Sequence, residues 1–404
     1  MRRIVLMAAL AALLQACASS IERHPVPAEE LVDAGIPGIP EARITLSAIT
    51  VHSDQASIDR IRNIHEKASL LLDSAARYPD LLAISGGGAE GAFTAGLLNG
   101  WSEAGDRPQF QIVSGVSTGA LIAPFAFLGP DYDDVLKTLY TTSNTQSIMD
   151  RLGIFSIRKN SALADTAPLR EIIAASVDDA FLARIAAEHD KGRRLIIGTT
   201  NLDSQTPVIW NMGAIAKSKE PIAEQLFQDV MLASASIPGV FPPVIIDVEA
   251  NGRRYDEMHV DGGVSKQLFA YPPGMNMAAI QKQHGVDLDL DLYLIRNSKV
   301  LPEHRPVEMK LTNIAAVSGS MLIRSQGTSN IVETYEAAER DGINFYLAYI
   351  PPDFDEEAGE AFDPVYMKKL YELAYELAIN GNAWTRQPPW FNEAIRKSLF
   401  PEAD

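Results

Sequence analysis

The alternation of apolar and polar positions changes period several times along this chain. Leu81-Leu82-Ala83-Ile84-Ser85 is a short continuous apolar run that stops at glycines, and Ala89 to Glu103 then repeats at helical spacing. Phe110-Gln111-Ile112-Val113-Ser114 is a second run, stopping at Gly115, and an apolar helix is predicted from Thr118. Further strands are predicted over Arg194–Thr200, Val244–Val248, His259–Val260 and Leu288–Ile295, and helices over Asp165–Ala187, Ala223–Ser234, Val307–Ser325 and Asp363–Ile379. Short apolar runs bounded by turn residues and interleaved with longer helical stretches predict an α/β fold with a mostly parallel sheet. Upstream, Ile58, Ile61, Ile64, Leu71 and Leu72 predict a helix over Ser53–Arg77, with Ser53 or Asp54 as its cap. Residues 17–50 carry Pro25, Pro27, Pro37 and Pro40 without a sustained period and read as a tether. There is no internal repeat.

The first residues divide differently. Arg2-Arg3 precede an apolar stretch from Ile4 to Leu14 and then Gln15-Ala16-Cys17, the layout of an export signal over residues 1–16. The apolar stretch is too short to span a bilayer as a helix. Leu14-Gln15-Ala16-Cys17 resembles the bacterial lipoprotein box, which implies that Cys17 becomes a lipidated N-terminus. The following Ala18, rather than Asp, implies a lipid-anchored protein of the bacterial cell envelope, at the outer membrane. On this division residues 51–404 are the body, one large domain.

Composition narrows the function classes. The chain has 404 residues, 47% of them hydrophobic and 22% charged, which fits a globular body and excludes a disordered, collagen-like or coiled-coil chain. The formal charge of −17 opposes nucleic-acid phosphates, and no basic stripe compensates, so no nucleic-acid partner is expected. The single cysteine excludes an intramolecular disulfide and a Cys-rich metal framework. The runs Asp131-Tyr132-Asp133-Asp134 and Asp287-Leu288-Asp289-Leu290-Asp291 lack EF-hand spacing, and the second alternates at strand period. No metal site and no cofactor are expected.

Two glycine motifs carry candidate chemistry. Gly86-Gly87-Gly88-Ala89-Glu90-Gly91 ends a strand and opens a helix, so backbone N–H groups and the positive helix end converge on a point suited to an anion or a developing oxyanion. A dinucleotide site would need an acidic residue at the end of the next strand, where this chain has Ser114-Gly115, and no Gly-Lys-Ser/Thr follows for a P-loop. Gly115-Val116-Ser117-Thr118-Gly119 has the form of a nucleophile elbow between an apolar strand and an apolar helix. Only one helix and one strand fit between Gly88 and Ser117, so both motifs belong to successive turns of one β-α-β unit and open at the carboxyl ends of neighbouring parallel strands. A serine hydroxyl beside a row of N–H donors is what acyl transfer needs.

The base for Ser117 has two readings. A Ser-Asp-His triad is open to His284 or His304. Alternatively, Asp261 in Asp261-Gly262-Gly263 follows a short apolar run and serves as base if burial raises its pKa and it reaches the hydroxyl; alone, Asp-Gly also reads as an ordinary turn.

Taken together, G-G-G-x-x-G, G-x-S-x-G and D-G-G in this order resemble the patatin-like phospholipase family over roughly residues 80–270. Thr200-Asn201 and the block Ala233-Ser234-Ala235-Ser236-Ile237-Pro238-Gly239-Val240-Phe241-Pro242-Pro243 add to the likeness. The resemblance implies a three-layer α/β/α fold and a Ser-Asp dyad with Ser117 as nucleophile and Asp261 as base. It also implies an oxyanion hole at Gly86, Gly87 and Gly88, with Gly91, Gly115, Gly119, Gly262 and Gly263 supporting the motifs. The implied substrate is a lipid or other acyl ester, met at a membrane through the N-terminal anchor. One departure is Glu90, where the family often carries Arg or Lys. The competing functions are a carboxylesterase with a histidine triad and a lipid-binding lipoprotein of little catalytic activity.

Overall fold

The computed structural model describes residues 22–45, 79–151, 162–270, 276–302, 304 and 306–391. The expected signal, Cys17 and the helix over Ser53–Arg77 lie outside the described residues. In chain order the principal elements are β1 (Arg43–Thr45), β2 (Asp80–Ile84), α1 (Gly91–Ala104), β3 (Ile112–Val116), α2 (Thr118–Leu128) and α3 (Asp133–Thr142). Then come α4 (Ala167–Ser176), α5 (Asp179–Asp190), β4 (Arg194–Asn201), β5 (Thr206–Asn211), α6 (Ala223–Ser234), β6 (Val244–Ala250) and β7 (Arg253–Asp261). The last are β8 (Asp291–Arg296), α7 (Leu311–Asp341), β9 (Asn344–Tyr349) and α8 (Pro364–Ile379).

The strands form one sheet in the order β1-β5-β4-β3-β2-β8-β9, with β7 pairing with both β4 and β6. The five strands β4-β3-β2-β8-β9 are parallel, and β5, β1, β7 and β6 join antiparallel. The fold is thus mixed α/β with a mostly parallel central sheet flanked by helices. The uninterrupted apolar runs have a simple cause, since the parallel strands are covered on both faces. Leu82 and Ile84 point into a core with Phe93, Leu97, Ile122 and Leu370, while Leu81 and Ala83 point the other way, to Leu292, Ile331 and Ala338.

Several expected elements change shape. The stretch Asp165–Ala187 is two helices, because Asp178 leaves the helical conformation and its side chain accepts from Phe181 N–H to start α5. The predicted Val307–Ser325 helix begins at Leu311 and runs on to Asp341, where Gly342 at φ 69° ends it. The strand expected from Leu288 starts at Asp291, with Asn344 Nδ2 donating to the carboxylates of both Asp289 and Asp291. The short run His259-Val260 is the end of a nine-residue strand. That strand returns from β6 through Asn251-Gly252, both at positive φ, as a two-residue hairpin requires.

The tether expected over residues 17–50 is not a leash across 22–45. Val26, Ala34, Ile36, Ile39 and Ala42 are buried in the main core. Gly35 and Glu249 exchange backbone hydrogen bonds of 2.9 Å, and Arg23 Nη2 lies 2.7 Å from the Asp203 carboxylate. Arg43 enters β1 against Trp210 and pairs inside the protein with Glu257. Prolines forbid a helix or a central strand but leave extended packing along a sheet edge open.

Candidate active site

Parallel pairing of β2 with β3, Ile84 opposite Gly115, puts the Gly86–Gly88 loop and Ser117 side by side at the carboxyl edge of the sheet. Ser117 has φ 57° and ψ −127°, a left-handed conformation that only a surrounding frame can hold in a non-glycine residue. The frame is specific. Ser117 N–H donates to Ser234 Oγ at 3.0 Å, and Ser234 Oγ–H donates to the Gly198 carbonyl at 2.6 Å. A Cβ on Gly115 would strike the carbonyl of Gly119, and one on Gly119 the carbonyl of Ile84, so both glycines are fixed by the closeness of the turn. A Cβ on Gly86 would lie 2.9 Å from Ser117 Cβ.

Asp261 reaches the same point from another direction. β7 runs antiparallel to β4 and ends with Asp261 opposite Thr199, while Ser236, one turn past α6, accepts from Asp261 N–H at 2.9 Å. The carboxylate accepts from Gly263 N–H at 2.7 Å and lies near enough to Ser117 for its hydroxyl to lower the Asp261 pKa. Both side chains are only 6% exposed. Burial pushes the Asp261 carboxyl up to about 6, against the downward pull of the Ser117 hydroxyl and the Gly263 N–H.

His304 is exposed, and among the described residues no histidine lines the cleft at Ser117. His259 is buried and bound in a chain of its own. Trp210 Nε1–H donates to Thr199 Oγ1 at 2.8 Å, whose proton then faces His259 Nδ1 at 2.9 Å. That leaves Nε2–H for Glu257 at 3.1 Å, and burial lowers the pKa of the ring.

Gly88 stands at φ 59°, and among the described residues nothing accepts from the N–H groups of Gly87 and Gly88. Asn297 fastens the strand end below them. Its N–H donates to Ser85 Oγ, its Nδ2 to the Ser85 carbonyl, and its Oδ1 accepts from Thr94, all within 2.9 Å. Gln267 ties two motifs together, donating to the Gly263 carbonyl at 2.9 Å and accepting from Arg296 at 3.3 Å while its Oε1 borders Gly86. Glu90 sits partly buried just past the loop, where burial raises its carboxyl to about 7 and nearby Arg296 pulls the other way. Arg296, at the end of β8, thus stands near a position that is acidic here.

A cleft of about 780 Å³, its open mouth included, extends from Ser117 and Gly88. Leu121, Phe125, Leu169, Ile173, Met231 and Phe241 line it, an apolar wall matched to an acyl chain. Ile122 and Phe127, the other large apolar residues after the elbow, are in the core instead. Trp384 is half-buried and packs on Trp101 and Tyr293.

Residues 82–271 match the family model of the patatin-like phospholipases. They form a patatin-like phospholipase domain. At the level of that family the domain is a lipid acyl hydrolase. No curated protein matches the chain. Among solved structures it is similar to VipD from Legionella pneumophila, at 13% identity and a TM-score of 0.37, over 76% of this chain and 67% of that one. It is also similar to full-length ExoU, solved with SpcU of the type III secretion system of Pseudomonas aeruginosa, at 14% identity and a TM-score of 0.33 over 75% of this chain. This chain spans about half of ExoU, 52% of its length.

The patatin-like motifs Gly86–Gly88, Ser117 and Asp261 thus come together in the structure, with Gly91, Gly262 and Gly263 at the adjoining turns. Sequence reasoning did not find the roles of Ser234, Ser236, Asn297 and Gln267. The first two lie in the Ser/Pro-rich block and the others follow β8 and the Asp-Gly-Gly turn, where composition carries no sign of which partner a polar side chain meets.

Proposed function

We propose that this protein is a serine lipid acyl hydrolase of the phospholipase A, lysophospholipase or esterase type. The observation that carries the reading is the strained Ser117 at the mouth of an apolar cleft, beside unengaged glycine N–H groups and near the buried carboxylate of Asp261, whose pKa its hydroxyl lowers. Asp261 takes the Ser117 proton as Oγ attacks the ester carbonyl, and the carbonyl electron pair moves onto oxygen toward the N–H groups of Gly87 and Gly88. Collapse breaks the bond to the alcohol or lysolipid, which leaves with the proton from Asp261. Water then loses a proton to Asp261 and attacks the acyl-serine, and Ser117 recovers that proton as the fatty acid departs. Lipidation of Cys17, with anchoring at the outer membrane, would hold so acidic a protein near its lipid without help from surface charge.

Labelling with a serine-directed fluorophosphonate tests the reading. The wild-type protein is expected to label, Asp261→Asn to label at least 100-fold more slowly, and Ser117→Ala not at all. Equal labelling of Ser117→Ala removes the nucleophile assignment. Full activity of Asp261→Asn with loss in His284→Ala moves the protein to a histidine triad.

A further inference from the structure

We propose that the first half of α7 is a docking arm for a lipid bilayer, projecting from the same edge of the sheet at which Ser117 opens. This rests on the reading of the chain as a lipid acyl hydrolase, and the argument is geometric. Gln326 Nε2 donates to the carbonyls of Val264 and Ser265, just after Asp261, and Gly327 lies against the guanidinium of Arg296 at the carboxyl end of β8. At its other end α7 turns through Gly342 into β9, whose Asn344 pairs with Asp291 at the amino end of β8. The helix therefore runs antiparallel to the parallel strands, and residues 311–325 overhang their carboxyl edge. At about 1.5 Å per residue the overhang is roughly 20 Å.

The chemistry of the overhang is unlike that of the remaining surface. No charged residue occurs from Leu311 to Ile323 in a chain of formal charge −17. Leu311, Met321 and Leu322 are 84%, 63% and 74% exposed, and Ile314, Val317 and Ile323 are exposed as well. At helical spacing Leu311, Ile314, Val317, Met321 and Leu322 fall on one side, an arc of about 140°. Met309 before the helix and Val264 beside the Asp261 turn extend the apolar surface at either end. An apolar helical face of this kind seats about 5–10 Å into the boundary between headgroups and acyl chains, and the missing charge spares it the cost of desolvating ions there. The acidic body disfavours an anionic surface, so the matching partner is a neutral, zwitterionic bilayer.

Flotation with phosphatidylcholine vesicles tests the arm. The full chain carries Cys17→Ser, to remove any anchor, and Ser117→Ala, so that binding is read without turnover and independently of the hydrolase reading. This protein is expected to float, and adding Leu311→Ser, Met321→Ser and Leu322→Ser to lower its partition by roughly tenfold or more. Vesicles containing phosphatidylglycerol are expected to bind it less well. With Ser117 intact, the triple change is expected to reduce hydrolysis of vesicle lipid while leaving hydrolysis of a soluble short-chain ester within about twofold. Unchanged flotation of the triple variant, or no flotation of its parent, overturns the proposal. If flotation is unchanged and the triple variant turns a dimer into a monomer in sedimentation, the face receives a second copy. If flotation is unchanged and the Tm falls, it receives another part of this chain.

Discussion

Asp261 holds two opposed demands in one side chain. Burial raises its carboxyl to about 6, yet it remains largely ionised at neutral pH, as a base for Ser117 must be. The acid limb of kcat/KM is therefore expected at an apparent pKa of about 6, with activity falling tenfold per pH step below it. A pH profile on a soluble ester checks this, and a flat profile down to pH 4.5 removes Asp261 as the base. The same shift makes a stability statement. A carboxyl whose folded pKa lies above its ordinary 3.8 favours the folded state most below that value, and the benefit is lost as pH rises through about 6. Asp261→Asn keeps the acceptor for Gly263 and Ser117 without the buried charge, so its Tm is expected above wild type at pH 8 and level with it near pH 3.5, measured by scanning calorimetry.

At the scale of elements, the elbow is held by its neighbours. Ser234, at the end of α6, joins the strained Ser117 to β4, and Ser236 in the next turn sets where β7 delivers Asp261. The antiparallel strand β1 is bound as firmly. Arg43 and Glu257 are 3% and 2% exposed, and Glu257 also faces His259, whose other ring nitrogen meets Thr199 on the strand opposite Asp261. Arg43→Ala would leave the Glu257 carboxylate buried without its cation and is expected to cost about 3–5 kcal/mol in urea unfolding. A cost below about 1 kcal/mol would mean that residues 22–45 rest on the body without supporting it. Their role as a wall of the body was illegible in the sequence because five apolar residues spread among prolines have no period.

For the whole molecule, charge and anchorage are linked. On the proposed reading a body of this acidity would need a means other than electrostatics to stay at a membrane, and lipidation of Cys17 would supply one. Cys17→Ser is expected to abolish incorporation of labelled palmitate into the protein. Palmitate incorporation unchanged by that substitution would exclude Cys17 as the lipidated residue. Packing around α1, by contrast, is internal. Gly96 and Gly100 meet the backbone of α8 at Tyr371 and Tyr375, which brings the C-terminal helix onto the domain that bears the site.

The sequence by itself determined the order of strands and helices that build the site, because a parallel strand covered on both faces must be apolar throughout and the turns after it must be glycine-rich. It offered the nucleophile candidate as well, because Gly115-Val116-Ser117-Thr118-Gly119 falls between an apolar strand and an apolar helix, the setting a nucleophile elbow requires. It could not choose between Asp261 and a histidine, because that choice depends on which side chain a distant antiparallel strand brings within reach of Ser117. Tertiary structure alone decided that Asp261 is buried near Ser117, that Ser234 and Asn297 brace the two glycine turns, and that residues 22–45 are wall rather than leash. Those are contacts between residues far apart in the chain, which local period and spacing do not encode.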